Sequence, residues 1–169
     1  MKEFIKYIVP YIKTFNFVKL NRDVEITTST KVLKHLNLKN LNQLRDRYEG
    51  QAFFNKNMKK IGGLIACQKF MKMPVSDIIS IDLNNFNPSI TLNSTIIPLF
   101  IFEYGQLPQL TENDLLSSKI FIIKKENLSY IICGFASFNV IQNNLIISNK
   151  SKSTFKFTGF NQLLQLNEL

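Results

Sequence analysis

Cysteine and histidine are scarce in this chain, which holds only Cys67, Cys133 and His35. Zinc sites need several such ligands at short, regular spacing, and these three residues do not provide it, so a structural zinc site is excluded. Both cysteines lie in apolar stretches, LIACQKF and YIICGF. We therefore expect two buried, reduced thiols in an intracellular protein of the cytoplasm or an organellar matrix.

Long hydrophobic runs are also missing. No apolar run reaches the roughly 18 residues that cross a bilayer, so no transmembrane segment is expected. The first 20 residues place apolar side chains on one helical face with lysines between them, but Pro10 interrupts the pattern and Glu3 adds an acid. A packed N-terminal element is favoured over a membrane-surface helix or a targeting segment. The apolar residues of this face are Phe4, Ile5, Ile8, Ile12 and Phe15.

Tryptophan is absent and arginine is rare, while lysine, asparagine, isoleucine and phenylalanine are abundant. This composition is typical of an A+T-rich genome, which accounts for part of the lysine excess. The charge is nevertheless uneven: residues 1–72 carry 15 Lys and Arg against 5 Asp and Glu, and residues 73–169 carry 6 against 7. A basic front half predicts a polyanionic partner, namely DNA or RNA.

The length of 169 residues suits one domain with a small appendage. We predict a basic helical segment at residues 1–40 and a single α/β domain at residues 41–169. One helix is expected after a cap at Thr28 or Ser29, a second over about residues 41–60 with Gly62 and Gly63 as its stop, and a third over residues 64–73. Pro74 closes the helical part.

After Pro74 the sequence changes to short β-branched and aromatic runs separated by turn residues. The fold class is therefore α/β or α+β, with N-terminal helices followed by a mixed or antiparallel sheet. A hairpin turn is expected near Glu126 and Asn127, Pro98 implies an edge position or a bulge, and FNQLLQLNEL is consistent with a short terminal helix. The predicted strands are SDIISIDL, SITL, TIIPLFIFEY, KIFIIKK, LSYIICGF, NLIIS and STFKFTGF.

A cluster of cations on the predicted helices is the candidate site for phosphate. Lysine contacts phosphate as a mobile point charge, which suits binding that does not depend on sequence. Phe53, Phe54 and Phe70 lie nearby and either stack on bases or pack in the core. The candidate nucleic-acid-binding residues are Arg45, Arg47, Lys56, Lys59, Lys60, Lys69 and Lys72.

Residues 28–56 also fit a helix-turn-helix, whose second helix would read base edges in the major groove. Any two short amphipathic helices fit this spacing equally well, so solvated helix faces are the alternative. The residues that would read bases are Asn40, Asn42, Gln43 and Arg45.

Three carboxylates are candidate catalytic residues: Glu49, Asp82 and Glu103. Hard oxygen ligands of this kind hold Mg²⁺ near a scissile phosphate, with Asp82 and Glu103 as the metal ligands. Each has a plainer alternative. Asp82 precedes the turn-rich LNNFNP and can cap a turn, Glu103 can be a solvated strand end, and Glu49 lies four residues after Arg45, where a helical ion pair forms.

The segments YEGQAFF, SDIISIDL, TIIPLFIFEYGQLPQL and SSKIFIIKKENLSYIICGFAS follow one another in this order. Over about residues 47–147 the chain thus resembles the PD-(D/E)XK, restriction-endonuclease-like group. Its members run a helix with an acid, a strand with Asp, a strand with (D/E)xK, and a hairpin that ends in a Gly-aromatic step. Gly134 followed by Phe135 is similar to that last step.

The resemblance implies that Glu49 or Gln51 is the helix acid and Asp82 the strand acid. The third strand departs from the group's pattern. If Glu103 is its acid, Gly105 stands where the lysine belongs, and if Glu103 replaces the lysine, Ile101 stands where the acid belongs. Either alignment lacks a catalytic component, so the resemblance implies a degenerate nuclease.

Four functions stay open at this point. The first is a nucleic-acid-binding protein with an endonuclease-like fold and no efficient catalysis, which needs no cofactor. The second is a Mg²⁺-dependent nuclease. The third is a structural RNA-binding subunit of a ribonucleoprotein, such as a ribosome-associated protein. The fourth is a module that binds protein partners through the neutral C-terminal half, whose strands can pair with another chain.

Overall fold

The computed structural model describes residues 1–45, 47–126, 128–149 and 153–168. Helices come first and a sheet follows, in a mixed α/β arrangement that confirms the predicted fold class. The α-helices are α1 (Lys2–Tyr7), α2 (Arg22–His35), α3 (Tyr48–Phe70) and α4 (Phe138–Asn143). The strands are β1 (Asn16–Lys19), β2 (Ser89–Leu92), β3 (Thr95–Glu103), β4 (Gln109–Thr111), β5 (Lys119–Lys124), β6 (Ser129–Ala136), β7 (Leu145–Asn149) and β8 (Thr154–Phe157). Short 3₁₀ turns lie at Val9–Thr14, Leu41–Leu44, Ile78–Ser80, Glu112–Leu116, Phe160–Gln162 and Leu166–Glu168.

Helix α2 begins earlier than predicted. The side chain of Asn21 accepts a hydrogen bond from the Val24 N–H (3.4 Å) and caps the helix at Arg22. The predicted cap at Thr28 or Ser29 is therefore wrong. Thr28 is buried within the helix, where its hydroxyl donates to the Val24 carbonyl (2.6 Å) instead of to a free helix end.

Helix α3 is one continuous helix of 23 residues, where two helices separated by Gly62 and Gly63 were predicted. Both glycines lie in its buried stretch and allow the helix backbone to approach the sheet. A Cβ at Gly63 would lie 2.5 Å from Cγ1 of Ile101. The pair is thus a contact point between the helix and the sheet, and the helix ends only at Phe70.

The main sheet has five strands in the order β1-β6-β5-β3-β2. Strands β3 and β5 are parallel and the other neighbours are antiparallel, so the sheet is mixed. The β5–β6 pair is the predicted hairpin, although Asn127 of its turn lies outside the described residues. Strand β3 is an inner strand, and Pro98 is tolerated there because pairing with β5 begins one residue later, at Leu99.

The N-terminal residues belong to the same sheet and core as later ones. Strand β1, which the sequence did not predict, pairs with β6. Phe4, Ile8 and Phe15 are buried, which confirms a packed N-terminal element, whereas Ile5 is exposed. The proposed division at residue 40 stays a prediction. Among the described helices, none combines the length and apolar character that a membrane span requires.

A second sheet has three strands in the order β4-β8-β7. The two faces of the main sheet bury different clusters: α3 packs with Ile120 and Ile122 on one face, and the other face buries an aromatic cluster. The rings of Phe121 and Phe157 stack at its centre, with their centroids 4.6 Å apart.

Two further segments also differ from their predicted structure. SDIISIDL is not a strand, because Asp77 accepts hydrogen bonds from the Ile79 N–H (3.0 Å) and the Ser80 hydroxyl (2.5 Å) and so caps a 3₁₀ turn at Ile78–Ser80. The described part of FNQLLQLNEL, residues 160–168, contains two 3₁₀ turns instead of one helix. Between these turns, Leu164 makes a β-bridge to Phe135 at the end of β6.

The two cysteines are free and buried, as predicted. Burial raises the pKa of Cys67 to about 12, and burial also raises the pKa of Cys133 far above its usual value. We expect both thiols of the native protein to resist an aromatic disulfide reagent at mildly alkaline pH, because the reactive thiolate is scarce and the reagent has no access. Labelling should follow the rate of unfolding in denaturant. Rapid labelling of either thiol in native buffer would contradict this expectation.

Candidate nucleic-acid interface

Helices α2 and α3 lie side by side, and the loop of residues 76–88 contacts α2 through its 3₁₀ turn at Ile78–Ser80 and α3 through residues 83–87. Two lysine side chains hold this loop against the helices by hydrogen bonds. Lys31 of α2 donates to the Ile79 carbonyl, and Lys60 of α3 donates to the Phe86 carbonyl (2.6 Å) and to Oδ1 of Asn87 (3.1 Å). The loop is therefore held against both helices by side chains that the helices supply.

The start of the loop is fixed by the buried side chain of Gln68. Its Nε2 donates to the Ser76 hydroxyl (2.7 Å), and its Oε1 accepts from the Ser76 N–H (2.9 Å). Next along the chain, the hydrogen bonds from Ser80 and Ile79 lower the pKa of Asp77, with a smaller contribution from the charge of Lys31. The loop thus has a defined path from Ser76 to Asn87.

Three cavities adjoin along this surface. The first, of about 700 Å³, lies between α2 and residues 79–83, and the second, of about 660 Å³, lies at the start of α3. The third, of about 180 Å³, lies between α3 and residues 83–87. His35 lines the first and second cavities, Phe53 the second and third, and Leu83 the first and third. The three form one surface, which we call the basic groove.

The basic groove is positively charged. Its lining holds five Lys and Arg side chains against two acids, Glu49 and Asp82. Burial lowers the pKa of Lys60, and the neighbouring charges of Lys56 and Lys59 lower it further, while the carboxylate of Asp114 acts in the opposite direction. Such a surface attracts anions. The five cations are Lys31, Lys34, Arg47, Lys56 and Lys60.

The seven predicted phosphate-binding residues do not form one cluster. Three of them, Arg47, Lys56 and Lys60, line the basic groove. Lys59 instead forms an ion pair with Glu103 (3.4 Å). Lys69 and Lys72 lie at the far end of α3, roughly 30 Å along the helix from Arg47. Arg45 is exposed just after the Leu41–Leu44 turn.

The predicted helix-turn-helix is not formed. Residues 41–44, which would begin the second helix, form a 3₁₀ turn, and α3 starts only at Tyr48. Oδ1 of Asn40 accepts from the Gln43 N–H (3.3 Å), and Oε1 of Gln43 accepts from the Lys39 N–H (2.7 Å). These acceptors bond the local backbone because the turn leaves its N–H groups without helical partners.

The three candidate catalytic carboxylates lie in different surroundings. Glu49 lines the second cavity and Asp82 the first, while Glu103 is paired with Lys59 at the end of β3. Oδ1 of Asp82 accepts from the Asn84 N–H (3.0 Å), as its alternative role in capping a turn predicts. Within the described ranges, no group of three or more His, Cys, Asp or Glu side chains is placed to hold a metal ion.

Sequence reasoning missed Lys31, Lys34 and His35, which line the first cavity. Their spacing of three and four residues along α2 places them on one helical face, and this was the available signal. The approach of Asn84, Asn85 and Asn87 to α3 had no such signal, because it depends on the tertiary path of the loop.

A scan of protein-family models, a search of curated proteins and a search of solved structures each find no match to this chain. The resemblance of residues 47–147 to the restriction-endonuclease-like group stays a prediction.

Proposed function

We propose that this protein binds nucleic acid and contacts the phosphate backbone through the basic groove without reading base sequence. The observation that carries the proposal is the excess of five Lys and Arg side chains over two acids along one continuous surface. Four of the five cations are lysines, which bind phosphate as point charges and do not specify a base.

The five cations divide into two roles. Lys31 and Lys60 donate to loop carbonyls and keep the groove in shape. Lys34, Arg47 and Lys56 are exposed and supply the charge for phosphate. With about three phosphate contacts, the affinity for a single strand should fall roughly twentyfold between about 50 mM and about 200 mM salt, because each contact releases counterions.

The proposal is binding without cleavage. Glu103 forms an ion pair with Lys59 at the end of β3. Asp82 lies in the loop that lines the first cavity, where it caps a turn. A Mg²⁺-dependent nuclease needs these carboxylates to converge on one ion, so their positions lend no support to that hypothesis.

Fluorescence anisotropy with a labelled strand of about 16 nucleotides tests the proposal. The variant Lys34→Glu/Arg47→Glu/Lys56→Glu should lose affinity by about tenfold or more at low salt, because three phosphate contacts become repulsive. The matched control is Lys13→Glu/Lys69→Glu/Lys72→Glu, which changes the net charge equally at exposed sites outside the groove.

The control should lose less than about threefold, since screened charges outside the groove act only at long range. An equal loss in both variants would show that net charge, and not the basic groove, governs binding. If the unaltered protein binds neither DNA nor RNA at low salt, the proposal is wrong.

A further inference from the structure

A pair of stacked rings lies where the cavities of the basic groove meet. The imidazole of His35 and the ring of Phe53 have centroids 5.1 Å apart and planes 8° from parallel. His35 is the last residue of α2, and Phe53 lies in the second turn of α3. The pair thus bridges the two helices at the surface, beside all three cavities.

The two rings differ in burial. Phe53 is half-buried and packs against the main hydrophobic core, whereas His35 is exposed above it. A ring that rests on a fixed partner is held in place before a ligand arrives, so little conformational entropy is lost on binding. The stacked pair therefore offers a rigid aromatic surface to the solvent side of the groove.

Cations surround this pair on different sides. Lys34 lines the first cavity, Arg47 the second and Lys56 the third, and each of these cavities is also lined by His35 or Phe53. In a nucleic-acid strand, each base is joined to a backbone with a phosphate on either side. Cations placed around an aromatic ring match that chemistry, because one base can stack while the flanking phosphates meet positive charge.

We propose that the His35–Phe53 pair is a base-stacking platform and that the ligand of the basic groove is single-stranded nucleic acid. This inference rests on the proposed function, and it adds the ligand's form. A duplex can meet the cations of the groove, but its bases are stacked on one another and present no free face to His35. Tyr48, which is 86% exposed and lines the second cavity, provides a second ring for a neighbouring base.

Variants of His35 separate stacking from charge. His35→Phe has a ring that cannot carry a charge, His35→Lys has a cation in place of the ring, and His35→Ala has neither. If His35 stacks on a base, His35→Ala and His35→Lys should each weaken binding of a pyrimidine strand of about 16 nucleotides by about fivefold or more, and His35→Phe should bind within about twofold of the unaltered protein. The duplex of the same sequence should bind about tenfold or more weakly, and His35→Ala should leave its affinity unchanged.

Two results would overturn the platform. One is a strand affinity that His35→Ala does not change, and the other is a duplex that binds as tightly as the strand. If His35→Lys binds like the unaltered protein while His35→Phe does not, His35 acts by charge and the platform is also wrong. The two hypotheses fail in different ways. If the basic groove does not bind the strand, Lys34→Glu/Arg47→Glu/Lys56→Glu loses no more affinity than its control variant. If only the platform is wrong, that triple variant still loses more affinity than the control.

Discussion

Replacing Gly134 with alanine should lower the free energy of unfolding by about 2–4 kcal/mol. The φ angle of Gly134 is +134°, a conformation that residues with a side chain rarely adopt. A Cβ at this position would also lie 2.5 Å from the carbonyl oxygen of Leu164, which is a backbone atom and cannot rotate away. The energetic cost of the unfavourable φ angle and the cost of this steric overlap therefore add in the Gly134→Ala protein.

The chain needs glycine here because two features meet at this position. Strand β6 contains a bulge, since Phe121 pairs with Gly134 while the next residue, Ile122, pairs with Ile132. Immediately after the bulge, Phe135 and Leu164 exchange hydrogen bonds of 2.8 and 2.9 Å. A side chain at residue 134 would push the C-terminal segment away from β6.

Equilibrium unfolding in urea measures the free energy, and hydrogen exchange at the amides of Phe135 and Leu164 reports on the bridge. Both amides should exchange faster in Gly134→Ala. Gly50→Ala is the matched control, because Gly50 lies in α3 and its Cβ would meet only side chains, the nearest being Leu44 at 3.3 Å. The control should be as stable as the unaltered protein or gain up to about 1 kcal/mol, because alanine is the better helix former. A Gly134→Ala protein as stable as this control would contradict the expectation.

Among the described strands after residue 88, all but β4 were predictable, because local pattern and tertiary structure agree there. SITL coincides with β2, KIFIIKK contains β5, and LSYIICGF covers β6 except for its last residue, Ala136. Their β-branched and aromatic residues fill a buried sheet that packs on both faces. SDIISIDL has the same composition but fails as a strand, because Asp77 bonds the local backbone and turns the chain.

The positive charge of the candidate site was predictable from the sequence, but which cations lie together on the surface was not. Lys59 and Lys60 are neighbours in sequence, yet one pairs with Glu103 and the other with the Phe86 carbonyl. Lys69 follows the same helical pattern and lies about six turns from Arg47. Lys31 and Lys34 line the groove but were not predicted to do so. They belong to α2, and they lie beside the cations of α3 only because α2 packs against α3.

Gly62→Ala should lower the free energy of unfolding by about 1–3 kcal/mol, although alanine is the better helix former. In an exposed helix the same change would raise stability by about 1 kcal/mol. Here the Cβ would overlap the Tyr130 hydroxyl and lie 2.6 Å from Cζ of that ring. Tyr130 is buried on β6, so its ring has little room to move.

A double-mutant cycle with Tyr130→Leu identifies the cause. Leucine lacks the atoms Cζ and Oη that a Cβ at Gly62 would meet, so Gly62→Ala should become neutral or stabilising, by up to about 1 kcal/mol, in the Tyr130→Leu protein. Unfolding in urea measures all four corners of the cycle.

The alternative is that Gly62 has no packing role and only lowers the intrinsic stability of the helix. In that case alanine would stabilise the protein in both backgrounds, because removing glycine from a helix lowers the entropy lost on folding. A cost that appears only when Tyr130 is present would instead show that the glycine exists for contact between α3 and β6. That contact places α3 on the sheet, and with it Lys56 and the preceding Arg47 at the basic groove.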